Sequence, residues 1–174
     1  SVVIEGDEVY VNSAAVQMEI SFSGGDGSPI HEMQLANSSS FSGAAWIEAT
    51  AGVRSWSLET GDGEKFVYLA LRDQAGNESV VWDSVLLDTT PPDGSITVSD
   101  SSGFTNTPAV SLSLWGEDPS PGSGVVQMLV SNEATFADAV WQPFQEVVAW
   151  EIETAEGDHS IYVKLRDGAA NESS

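Results

Sequence analysis

The sequence predicts an all-β protein built as two tandem antiparallel β-sandwich domains, and three observations carry that prediction. Residues 68–79, YLALRDQAGNES, return at 162–173 as YVKLRDGAANES with eight of twelve positions identical, so the chain is a tandem repeat. Apolar and polar residues alternate over short runs bounded by Gly, Pro, Asn, Asp and Ser, which is the period-two signature of strands with one face buried. No stretch shows the 3.6-residue stripe of an amphipathic helix. Half of 174 residues is just enough chain for a domain to bury its own core.

In the first copy, residues 1–4 and 8–11 read as one strand split at Gly6-Asp7. Val16, Met18, Ile20 and Phe22 then alternate with Gln17, Glu19 and Ser21, and residues 23–29, SGGDGSP, form a loop by composition. A strand over 30–35, a polar loop over 37–43, a short strand at Trp46-Ile47 and a strand over 54–59 with Trp56 and Leu58 turned inward follow. Gly61-Asp62-Gly63 is a hairpin turn. The strand over 66–72 puts Val67, Leu69 and Leu71 on the buried face and Phe66, Tyr68, Ala70 and Arg72 on the wet one; Lys164 stands where the first copy has Ala70, which assigns that face to solvent. A turn over 73–77 leads to the last strand, 80–87, for about seven strands.

Residues 89–94, TTPPDG, form a linker in which two prolines favour an extended path, so domain 1 covers 1–88 and domain 2 covers 95–174. In the second copy Val110, Leu112 and Leu114 match Val16, Met18 and Ile20. The loop 117–124 is one residue longer than its counterpart, a change confined to a connection. A second version of 80–87 would begin at Ser174, so domain 2 is expected to lack its last strand. Either the residues belong to a longer repeat array, or an extended segment of another copy fills the gap by strand addition.

With 27 Asp plus Glu against 5 Lys plus Arg, the net charge is −22 and both copies share the bias. Nucleic acid needs clustered cations to displace counterions, and anionic membrane surfaces repel such a chain. Neither is an expected partner, and without an apolar run near 18 residues no membrane insertion is expected. An acidic surface instead attracts cations. With no cysteine there is no disulfide or thiolate metal knot. Export and anchoring signals are expected outside these residues.

The GSI triplet, the Tyr-x-Asn-Ser and Phe-x-Asn-Thr entries, Trp46 with Trp141, Trp56 with Trp150, the VYxxLRDxAGNxS run and LDTTPP together resemble the bacterial Ig-like repeats of large surface and secreted proteins. The resemblance spans nearly the whole chain in two copies. It implies an Ig-like sandwich, a bacterial extracellular or cell-surface location, a role as spacer or adhesive repeat beside neighbouring repeats, and no catalytic residues. Ala170 departs from the pattern where the first copy has Gly76, which puts the second turn's geometry in question.

His31 and His159 occupy non-equivalent positions, and no Ser-His-Asp spacing, phosphate loop or HExxH motif occurs, so no enzyme is expected. Calcium is the candidate cofactor: Asp73, Asn77 and Glu78, then Asp167, Asn171 and Glu172, offer oxygen ligands within six residues, and Asp88 and Asp93 bracket the prolines. The same Asp-x-x-Gly-Asn pattern is equally turn chemistry, with side chains bonding their own backbone. Arg72 and Arg166 are expected to pair with a carboxylate near the turn, in bidentate fashion. Trp46, Trp56, Trp141 and Trp150 recur and read as core. The unrepeated Trp82 and Trp115 are the places to seek an exposed, sugar-stacking aromatic. The expected function is therefore a non-catalytic structural or adhesive repeat, with a polysaccharide-binding accessory region of a secreted hydrolase and a calcium-stiffened stalk as alternatives.

Overall fold

A computed structural model describes residues 1–174 apart from 7, 25–26, 99–102 and 138, so parts of the expected Gly6-Asp7 break and the 23–29 loop lie outside the described residues. Among the described residues every regular element is a strand, and no helix is long and apolar enough to cross a membrane. The chain divides into two compact units, Ser1–Thr89 and Thr90–Ser174.

Unit 1 contains β1 (Val2–Ile4), β2 (Tyr10–Val11), β3 (Ala15–Ile20), β4 (Ile30–Ala36), β5 (Ile47–Glu48), β6 (Gly52–Ser57), β7 (Gly63–Asp73) and β8 (Glu78–Leu87). They form a three-stranded sheet ordered β1-β3-β6 and a five-stranded sheet ordered β2-β8-β7-β4-β5. Alternation sets the core: Val16, Met18 and Ile20 of β3 face Met33, Val67, Leu69 and Val85 of the other sheet, all buried in one cluster. Glu5 and Gly6 both take positive φ, 45° and 67°, where the entering strand leaves the first sheet for the second.

The sheets are antiparallel as expected, with one added two-residue parallel pairing of β2 with β8, Tyr10 opposite Leu86 and Val11 opposite Leu87. The chain that crosses from one sheet to the other without a hairpin arrives running in the same direction as β8. One expectation needs correction. Ala70, assigned to the wet face, is only 4% exposed. Gln34, its neighbour across the ladder, donates from Nε2 to the Ala44 carbonyl at 3.0 Å and so holds the 37–46 segment over this part of the sheet.

Unit 2 contains β9 (Asp93–Val98), β10 (Ala109–Glu117), β11 (Val125–Ser131), β12 (Gln142–Pro143), β13 (Val147–Glu151) and β14 (Tyr162–Asp167), in sheets ordered β13-β10-β9 and β12-β11-β14. Asp93 and Gly94, read as linker in the sequence, are strand residues paired with Glu117 and Gly116. Gly94 is required there: a Cβ at this position would fall 2.4 Å from Leu165 Cδ1. Leu112, Leu114, Met128 and Leu165 centre the second core.

Candidate functional site

Most of the expected ligands lie on the two repeated turns. Asp73 spends both oxygens inside its own turn: Oδ1 accepts from the Ala75 N–H at 2.9 Å and the Asn77 N–H at 2.8 Å, and Oδ2 from Asn77 Nδ2 at 2.8 Å. These donors, the Asn77 side chain foremost, hold the Asp73 carboxyl below its ordinary value of 3.8. Asp167 repeats the arrangement with the Asn171 N–H and Nδ2, each at 2.8 Å. Gly76 takes φ 85° and Ala170 takes φ 68°, so the second turn keeps the first turn's geometry despite losing its glycine.

Glu78 and Glu172 turn away from these aspartates toward arginine. Arg72 donates from Nε to Glu32 Oε2 at 2.9 Å and from Nη2 to the same oxygen, with Glu78 3.7 Å from Nη1. In the second copy Gln127 stands in place of Glu32, and Arg166 pairs with Glu172 at 2.5 Å while Lys164 lies 3.3 Å from it. The Arg166 hydrogen bond, followed by Lys164, holds Glu172 below its ordinary 4.5. Arginine–carboxylate pairing is present in both copies, though Arg72 converges on one oxygen of Glu32 instead of bridging two.

The repeated tryptophans divide into two groups. Arg72 lies over the Trp46 ring, its guanidinium carbon 4.1 Å from the centroid, and Arg166 lies 3.8 Å over Trp141. Trp46 and Trp141 are therefore half-buried lids on the arginines, not core, a correction whose cause is cation–π attraction on the outer sheet face. Trp56 and Trp150 do pack against the two cores. Their Nε1 donates to Asn37 Oδ1 at 2.6 Å and to Asn132 Oδ1 at 2.7 Å. Each Asn in turn donates to a backbone carbonyl, Ser57 or Glu151. These asparagines were missed in the sequence, where they read as loop composition; their recurrence opposite a recurring Trp was the available signal.

Also missed was Asp118, on the longer loop after β10. Its Oδ2 accepts the Gly124 N–H at 2.6 Å, and the loop docks on the second turn through the Gly168 N–H to the Gly124 carbonyl and the Ala169 N–H to Ser123 Oγ. Carboxylate oxygens of Asp118 and Asp167 thereby come within 4.8 Å of each other, with Asp167 only 1% exposed. In unit 1, Gly24, Ser28, Asp73, Asn77 and Glu78 border an open depression of about 270 Å³ at the corresponding turn. Asp88 follows β8, is buried, and donates its N–H to the Val11 carbonyl at 2.9 Å. Asp93 is exposed and accepts the Gly94 N–H.

Trp82 and Trp115 are both exposed, at 59% and 53%. Trp115 stands on β10 in phase with Ser111 and Ser113. Trp82 has company: Phe66 meets it edge-on at 5.7 Å, Tyr68 stacks on Phe66 at 6.1 Å, and Phe41 meets Tyr68 at 6.4 Å. The result is an aromatic ledge on the outer face of the five-stranded sheet. His31 lies 3.4 Å from Glu32 and His159 contacts the Ala155 carbonyl, so the two histidines share no site.

No family model and no curated protein matches the sequence. Among solved structures the chain is similar to a carbohydrate-binding module of the β-sandwich superfamily, at 10% identity over 94% of this chain and 83% of that one, TM-score 0.38. It is also similar to a tetra-tandem repeat in the extending region of a large adhesion protein, at 14% identity over 98% of this chain and 46% of that one, TM-score 0.30.

Proposed function

We propose that this chain is a non-catalytic, extracellular or cell-surface structural repeat that acts as a spacer or stalk segment beside neighbouring repeats. The observation that carries this reading is what the two copies keep. The Asp–Asn turn, the arginine stacked on tryptophan and the tryptophan clamped by asparagine recur in both units, and each ties one strand or turn to another. The two histidines, His31 and His159, do not recur at equivalent positions. Pulling the chain by its ends tests the reading: each unit should unfold in a discrete event releasing roughly 30 nm, the extended length of its residues. Featureless low-force extension would exclude a load-bearing spacer.

A second reading, contact with surface polysaccharide, is favoured by the ledge of Trp82, Phe66 and Tyr68. The second copy keeps the edge-on pair as Phe136 and Tyr162 but has Ser160 in place of Phe66, so the ring that joins Trp82 to that pair is not common to the two units. Exposed aromatic surface of this kind is costly to keep in water unless something stacks on it. Titration with neutral polysaccharides should quench tryptophan fluorescence in the native chain and not in Trp82→Ala; unchanged quenching in the variant would remove the ledge from consideration.

A calcium-stiffened form of the stalk is supported by the Asp118 and Asp167 carboxylates, whose mutual repulsion within 4.8 Å a divalent cation would relieve. Thermal unfolding in EDTA, in CaCl2, in MgCl2 and in NaCl of matched ionic strength separates the cases. A rise specific to Ca²⁺ supports metal binding, and equal rises in all salts mean charge screening alone.

A further inference from the structure

The outer face of the β13-β10-β9 sheet carries no charge at its centre, although the chain has 27 acidic residues. Trp115 of β10 is 53% exposed there, and the positions that share its face along the strand, Ser113 and Ser111, are exposed too. On β9, Ser95 stands opposite Trp115 and Thr97 opposite Ser113. On β13, Val147 and Ala149 stand opposite Ser113 and Ser111. These four side chains are exposed as well. Within the three strands the charged residues of this face come at its ends, Asp93 opposite Glu117 and Glu151 opposite Ala109.

The sandwich does not demand such a surface. At the equivalent positions of unit 1, Gln17 and Glu19 stand where unit 2 has Ser111 and Ser113, and Ser21 stands where it has Trp115. An indole left more than half exposed is an unfavourable surface in water until something packs on it.

Size and chemistry decide what fits. From Trp115 to Ser111 the floor runs four residues, about 14 Å at about 3.4 Å each, and three strands make it about 10 Å wide. That area, on the order of 140 Å², is a small fraction of the roughly 800 Å² that each partner gives to a stable protein interface. A footprint of that larger size would have to cover the carboxylates at the ends of the face. Strand addition is closed to β10, because β9 and β13 already occupy both of its edges. What remains on offer is an aromatic ring beside hydroxyls that both donate and accept. Thr97 Oγ1 donates to the Ser113 carbonyl at 3.4 Å, which turns its lone pairs toward the acceptor role.

We infer that this face is a binding site for a neutral saccharide. One sugar ring lies against the Trp115 indole, and its hydroxyls exchange hydrogen bonds with Ser95, Thr97 and Ser113. The carboxylates at both ends and the net charge of −22 select against uronate- and sulfate-bearing glycans. The site shares its ligand class with the Trp82 ledge but none of its residues, and it is independent of cation binding.

The test uses the whole chain carrying Trp82→Ala, so that the ledge is silent, and follows amide and indole N–H resonances during titration. The probes are neutral hexasaccharides of glucose, mannose and N-acetylglucosamine, with oligogalacturonate as the acidic control. At least one neutral probe should give saturable shifts at the Trp115 indole and at residues 95, 97, 111, 113 and 147. Adding Trp115→Ala, or separately Ser113→Glu, should weaken that binding at least about tenfold while the other resonances report an intact fold. Shifts at 66, 68 and 82 in the native chain that vanish with Trp82→Ala report on the ledge alone, so either site can fail without the other. Silence of the Trp115 face toward every neutral probe overturns the proposal. Equal binding of oligogalacturonate, or affinity unchanged by both substitutions, overturns it as well. So do shifts over this face that appear without sugar as the chain is concentrated, because the occupant is then a second copy.

Discussion

The guanidinium of Arg166 lies 3.8 Å over the ring of Trp141 while its Nη2 pairs with Glu172, so one side chain ties β14, the turn that follows it and the segment leading into β12. Arg72 does the same for unit 1 with Trp46 and Glu32. Lysine keeps the charge and loses both the planar stack and the second donor. Arg166→Lys should therefore destabilise unit 2 by about 1–2 kcal/mol. A double-mutant cycle with Trp141→Ala in urea unfolding should return a coupling energy clearly above zero.

Asn37 connects the Trp56 indole to the Ser57 carbonyl, and replacing it leaves a partly buried donor without its acceptor. Asn37→Ala should cost about 1–3 kcal/mol, and Asn132→Ala a similar amount in unit 2. Chemical denaturation of each variant checks both, and a change under about 0.5 kcal/mol would put the clamp within the range of ordinary surface substitutions.

Ala170 holds φ 68°, a conformation that strains any residue carrying a Cβ. Ala170→Gly should stabilise unit 2 by up to about 1 kcal/mol, the relief of strain being partly offset by the freer unfolded chain. Gly76→Ala, at φ 85°, should destabilise unit 1 to a comparable degree. The pair of opposite signs is the signature to look for in thermal unfolding.

Acid should act through the same turns. Asp73 and Glu172 are held below their ordinary values of 3.8 and 4.5, so each binds its proton more readily in the unfolded chain than in the folded one. Their stabilisation is fully present above those values and is lost as pH falls through the lowered folded ones. Unfolding midpoints measured from pH 6 downward should begin to drop near pH 4.5, and Glu172→Gln should flatten the upper part of that fall.

Most of the fold was legible because its causes are local. Alternation at Val16, Met18 and Ile20 fixed the buried face of β3, and the duplicated LRD run placed both turns. The parallel β2–β8 pairing was not, since nothing in Tyr10-Val11 specifies which sheet the chain joins after Gly6. Ala70 misled for a related reason: its burial comes from a distant segment held by Gln34, and a substitution by Lys164 in the other copy says only that this copy lacks the same cover. Of the site, the turn aspartates and the exposed Trp82 were readable. Asp118 was not, because its approach to Asp167 depends on how a long loop docks, and the ledge required knowing which neighbours share the outer face with Trp82.

A spacer role requires the interactions repeated in both copies to hold the units against load. Pulling the native chain and the Arg166→Ala variant by their ends tests it directly. The native chain should give two discrete unfolding events, and the variant should lower the force of one while leaving the other unchanged. Identical forces in both chains, or extension without discrete events, would contradict it.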